Sequence, residues 1–141
     1  MDLDKSYKNN VIIAFVFIIL GISLGAIGAH ALEKVPGILP KHIDSWKTGV
    51  LYQLFQGLGL LLLIILSQFW KLDKTKMAIN VITIGTILFS CSIYIIVLNH
   101  SWNINAIKYA MIPITPLGGV LMIAGWCMFL MKVQKKLRAK R

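Results

Sequence analysis

Acidic residues are scarce in this chain: five Asp and Glu stand against fifteen Lys and Arg in 141 residues, a net charge of +10. Charged residues of both signs reach only 14%, where a soluble domain carries about 25%. Two cysteines, Cys91 and Cys127, are too few for a disulfide framework. No paired carboxylates, nucleophile–base set or Gly-rich phosphate loop is present. These absences exclude disordered, collagen-like and disulfide-stapled chains and leave little material for a soluble enzyme. What abounds is apolar: 57% of the residues are hydrophobic, with a mean hydropathy of +0.76. A basic chain can point to nucleic acid, but this apolar fraction points to lipid.

A bilayer core about 30 Å thick needs roughly 20 apolar residues in a helix. Four runs qualify: residues 11–32, 49–70, 77–98 and 111–131. None contains Lys, Arg, Asp or Glu, each of which costs about 2.5–3.5 kcal/mol at a helix centre. The first run follows Lys5 and Lys8 and ends near Ala29-His30-Ala31, a signal-like arrangement. It is longer than the roughly 7–15 residues of a signal core, so it reads as a retained helix. Residues 1–141 thus form one domain, an all-α membrane protein of four transmembrane helices in a compact antiparallel bundle. Between the first two spans, Pro36, Gly37 and Pro40 mark a turn, and residues 41–47 read as a short interfacial helix with Trp46 at headgroup depth.

Eleven Lys and Arg flank one set of span ends and four flank the other. This bias predicts that both termini are cytoplasmic, in a bacterial inner (plasma) membrane. Residues 132–141 form a basic cytoplasmic tail whose charges can meet anionic headgroups or simply obey the insertion rule. The expected partners are the lipid bilayer and a homo-oligomer or larger membrane protein, without nucleic acid.

Cys91 lies about 21 Å along span three and Cys127 about 6 Å from the same-side end of span four. A disulfide needs Cα atoms within roughly 7 Å, so both read as small packing residues. His30, His42 and His100 fall on the outer side, but their spacing matches no metal motif, and no metal or cofactor is expected.

At 100° per residue, Tyr52, Gln53, Gln56 and Ser67 occupy an arc of about 100° on helix two. Asn80, Thr83, Thr86, Ser90 and Tyr94 occupy about 120° on helix three. With His30 and Thr115, the residues Tyr52, Gln53, Gln56, Ser90 and Tyr94 lie at one depth in the outer leaflet and form a candidate polar pocket. Gly21, Gly25 and Gly28 make a smooth stripe on helix one and Gly118 with Gly119 another on helix four, predicting close helix packing. Two functions fit. The leading one is a non-enzymatic accessory or structural protein whose polar groups tie helices together. The alternative is an outer-leaflet binding or transport module for a small molecule or lipid. No catalytic residue is assigned.

Four ordered motifs carry a family resemblance: GAIGAHAL at Gly25–Leu32, WKTGVLYQ at Trp46–Gln53, LFSCSIY at Leu88–Tyr94, and ITPLGGV at Ile114–Val120 with Ala124, Gly125 and Trp126. Together they resemble the small bacterial membrane family catalogued as domain of unknown function 423, related to animal transmembrane protein 256. The resemblance covers nearly the whole chain and implies a four-helix membrane protein without supplying a catalytic residue. Similar members often carry His in place of Gln56 and Gly in place of Cys91. Gln56 can hydrogen-bond but cannot carry a proton near neutrality, which weakens any metal or proton-relay role.

Overall fold

The structure, a computed structural model, describes residues 5–139. Five α-helices follow in order: α1 (Lys8–His30), α2 (Pro40–Phe69), α3 (Lys76–Trp102), α4 (Asn105–Met111) and α5 (Ile114–Arg138). Short 3₁₀ turns occupy Lys5–Tyr7 and Leu32–Lys34, and no strand occurs among the described residues. Four helices are long and apolar enough to cross a membrane, as their uninterrupted apolar runs require. They run antiparallel, with α1 packed on α2, α2 on α3, and α3 on α5. The middle pair is the more enclosed: 44% of the apolar window of α2 and of α3 is buried, against 22% for α1 and for α5. Ile19, Phe55 and Ile123 point outward, as lipid-facing side chains do.

The boundaries differ from the sequence reading in four places, each for a local reason. Residues 41–47 are no separate interfacial helix but the first turns of α2. Pro40 supplies a helical φ at the first position, the Nδ1 atom of His42 accepts from the Leu39 N–H at 3.1 Å, and no breaker follows. At about 45 Å, α2 is longer than the hydrocarbon layer, so its start projects beyond it. The short surface helix sits instead between α3 and α5, as α4.

Pro113 and Pro116 do not interrupt a span. Helix α5 starts at Ile114, after Pro113, whose carbonyl accepts from the Leu117 N–H at 3.4 Å. Pro116 lies in the first turn, where a missing N–H costs no hydrogen bond. At the other end, α5 continues helically to Arg138, favoured by Lys135, Lys136 and Arg138 beside the negative end of the helix dipole. Lys140 and Arg141 of the basic tail lie outside the described residues.

Two apolar clusters fill the interior. Ala14, Phe17, Leu60, Ile64, Ile79 and Phe129 belong to the one nearer the termini. Leu32, Ile43, Trp46, Val50, Ile93 and Val97 belong to the one nearer the α1–α2 connection. The termini end of the bundle carries the start of α1, the α2–α3 loop and the end of α5, and the loop end is opposite.

Candidate functional site

Helix α1 meets α2 through a repeated device. The indole N–H of Trp46 donates to the Leu24 carbonyl at 2.8 Å. It reaches that oxygen across Gly28, where an added Cβ would lie 2.6 Å from Trp46 Cδ1. Seven residues away on each helix the arrangement recurs: the Gln53 amide donates to the Phe17 carbonyl at 2.9 Å, across Gly21. A Cβ at Gly21 would meet Leu54 Cδ2 at 2.7 Å. A helix carbonyl already bonded to residue i+4 keeps a second lone pair, and a missing Cβ exposes it to a donor from the neighbouring helix.

The same logic continues into α3. Ser90 donates to the Gly49 carbonyl at 3.0 Å, and a Cβ on Gly49 would lie 2.9 Å from Tyr94 Cε1. The Tyr94 hydroxyl donates to Gln53 Oε1 at 3.0 Å. Gln53 therefore links α1, α2 and α3 through one amide, with its side chain 5% exposed. Gln56 Oε1 accepts from the Trp126 indole at 2.9 Å, joining α2 to α5. Ser92 and Thr115 share a hydroxyl–hydroxyl bond of 2.7 Å between α3 and α5.

The seven candidate pocket residues therefore resolve into separate ties. Gln53 and Tyr94 meet directly, with Ser90 one turn from Tyr94; Gln56 pairs with Trp126, and Thr115 with Ser92. His30 is not brought to the set: it is exposed on α1. Tyr52 is 43% exposed, its ring 4.8 Å from that of Phe89. Among the described residues, no buried side-chain nitrogen or oxygen lacks a hydrogen-bond partner.

Of the packing glycines, Gly21 and Gly28 face α2, and Gly118 faces α3 so closely that a Cβ would lie 2.5 Å from the Phe89 backbone nitrogen. Gly25 is looser, with Val50 Cγ1 at 3.4 Å, and Gly119 has only the Phe89 ring, at 3.8 Å. Sequence reasoning missed Gly85 and Gly125, which complete the α3–α5 contact. The seven-residue spacing of Gly118 and Gly125 was a usable signal. Trp46, expected at headgroup depth, is 3% exposed and seated on α1. Cys91 and Cys127 are free and exposed, so they face away from the bundle rather than packing inside it.

Two histidines meet at the loop end. The rings of His42 and His100 stack with centroids 3.7 Å apart and planes 6° from parallel. Gly37, at φ 84°, lies where a Cβ would be 2.7 Å from the His100 carbonyl oxygen, so only glycine serves that turn. Among the described residues, no three His, Cys, Asp or Glu side chains come together.

The family described as protein of unknown function DUF423 matches residues 24–119. The chain belongs to this family. The match takes in Trp46, Gln53, Ser90 and Tyr94, so the ties among α1, α2 and α3 lie largely within it. Among its relatives, UPF0382 membrane protein YwdK of Bacillus subtilis is 36% identical over 131 residues, covering 86% of this chain and 98% of that protein. UPF0382 membrane protein SSP2132 of Staphylococcus saprophyticus is 37% identical over 124 residues, covering 80% and 92%. UPF0382 inner membrane protein YgdD of Escherichia coli K12 is 34% identical over 116 residues, covering 77% and 76%. These names denote membrane proteins and no enzymatic activity. No solved structure matches the chain.

Proposed function

We propose that this protein is a non-enzymatic accessory or structural component of a bacterial inner membrane, acting through helix contacts with itself or a larger membrane partner. One observation carries the reading: the polar side chains inside the bundle are spent on one another and on helix carbonyls. A substrate site at membrane depth would hold donors or ionisable groups in reserve. The name of the Escherichia coli relative supports the inner membrane. The excess of Lys and Arg at the termini end supports cytoplasmic termini. Tyr7 with Thr75 at 2.7 Å and Asn10 with Asn80 at 2.8 Å hold the chain at the start of α1 against the end of the α2–α3 loop and the first turns of α3, at that basic end.

The test uses wild-type protein and Gln53→Ala in nanodiscs, read by thermal unfolding and native mass spectrometry. A lower melting temperature with an unchanged set of bound species is expected. A co-purifying small molecule that Gln53→Ala removes while the melting temperature holds would overturn the reading. For orientation, an impermeant thiol reagent applied to intact cells should label Ser101→Cys and leave Ser6→Cys untouched. The reverse pattern would invert the topology.

A further inference from the structure

At the termini end, the α2–α3 loop and the last turns of α5 enclose a cleft of about 470 Å³. Five lysines line it, Lys71, Lys74, Lys132, Lys135 and Lys136, with Asp73 the one acidic side chain among the described residues there, beside the buried Leu72. Among the described residues the one ion pair is Lys47 with Asp44, at the other end of the molecule, so no described carboxylate pairs with these five ammonium groups within salt-bridge distance. Lys132 and Lys136 are half-buried and one turn apart, which sets them on the same face of α5, with Lys135 beside them. Five ammonium groups against the one carboxylate of Asp73 leave the described lining with an excess of positive charge that favours an entering anion.

The loop holds its lysines there at a backbone cost. The N–H of Leu72 bonds the Ser67 carbonyl at 2.8 Å and the N–H of Lys71 bonds that of Gln68 at 3.2 Å, a Schellman ending of α2. Its left-handed position, usually glycine, is Lys71 at φ 50°, and Lys74 is left-handed too, at φ 56°. Depth is the second indication. Helix α2 ends at Phe69, α3 begins at Lys76, and Lys132 is the first charged residue beyond the apolar run of α5. From Lys132 to Lys136, α5 rises about 6 Å, which matches a headgroup layer of roughly 5–8 Å on each side of the hydrocarbon.

We propose that this cleft is a binding site for an anionic phosphate, supplied by the headgroup of an acidic phospholipid in the leaflet at the termini end. The phosphate sits among the ammonium groups of Lys71, Lys74, Lys132 and Lys136, and its acyl chains descend beside the lipid-facing surfaces of α2 and α5. The same chemistry would admit a soluble phosphate, so the source is a matter for the experiment. Nothing in this site depends on the accessory role proposed above.

The test uses purified full-length protein and native mass spectrometry, with phosphatidylglycerol or phosphatidylcholine added in equal amounts, and inorganic pyrophosphate as a soluble competitor. Phosphatidylglycerol should be retained over phosphatidylcholine, and the double variant Lys132→Gln/Lys136→Gln should lower its retention by about tenfold or more. Lys71→Gly relieves the left-handed backbone, so it should keep or raise the melting temperature and still weaken phosphatidylglycerol retention, a split that a merely structural lysine would not give. Lys34→Gln/Lys41→Gln, at the loop end, should change nothing. Pyrophosphate binding that is lost in the double variant, without selective phosphatidylglycerol retention, would keep the phosphate site and overturn its lipid source. Equal retention of the two lipids without pyrophosphate binding, or an equal loss in the loop-end control, would overturn the site itself.

Discussion

The two outer helices are attached to the central pair in different ways. Where α1 meets α2, the glycines of α1 are notches for side chains: Trp46 lies over Gly28 and Leu54 over Gly21, with indole and amide donors reaching the carbonyls beneath. Between α3 and α5, glycines bring main chain to main chain. A Cβ on Gly118 would lie 2.7 Å from the Gly85 carbonyl oxygen, and one on Gly85 would lie 2.7 Å from the Met122 nitrogen. A side chain can rotate away from an intruding methyl group; a helix backbone can only separate. Glycine is thus used for hydrogen-bond access on α1 and for proximity between α3 and α5.

That contrast orders the consequences of mutation, all readable as thermal unfolding in one detergent or nanodisc. Gly118→Ala should be the most damaging, about 3 kcal/mol, because two backbones must part along the seam. Gly28→Ala should cost about 2 kcal/mol, since the Trp46 ring withdraws and its bond to Leu24 is lost. Gln53→Ala should cost about 1 kcal/mol, removing bonds to α1 and α3 whose free energy in membranes is individually small. Gly25→Ala should cost nothing and can gain up to about 1 kcal/mol, because Val50 is at ordinary contact distance and alanine favours a helix. A Gly25 variant as damaging as the Gly28 variant would erase the distinction between notch and spacer.

The spans were legible because a membrane helix must be long and uncharged, a condition that composition alone can meet. Which way each polar side chain points was less legible, because depth does not determine direction. Gln53 meets α1 at Phe17 and Gly21, so His30, at the end of α1, lies about 14 Å farther along the helix. It also follows Gly28 by two residues and so lies about 200° around the helix from it. Once Gly28 faces α2, His30 must face outward. Tyr52 is turned about 100° from Gln53 and leaves the tie in the same way. The glycine stripe on α1 was visible, but which glycine bears a load depended on the partner: Trp46 and Leu54 lie over two of them, and the Val50 methyl only brushes the third. Gly85 looked like an isolated residue within an apolar run until α5 was laid against it. The start of α2 was less legible because Lys41, Asp44 and Lys47 end the uncharged run at Gly49, whereas the helix itself begins at Pro40 and seats Trp46 over Gly28 of α1.

The most direct measurement is second-site rescue in both seams. If the α1–α2 glycines make room for side chains, truncating the occupant should relieve the intruding methyl. Trp46→Ala should then cost at least about 1 kcal/mol less in Gly28→Ala than in wild type, a positive coupling. In the α3–α5 seam the opposing atoms are the Phe89 nitrogen and the Gly85 carbonyl oxygen. Phe89→Ala should therefore leave the cost of Gly118→Ala unchanged. Additive behaviour for Gly28 and Trp46, or an equal rescue of Gly118→Ala by Phe89→Ala, would contradict the account.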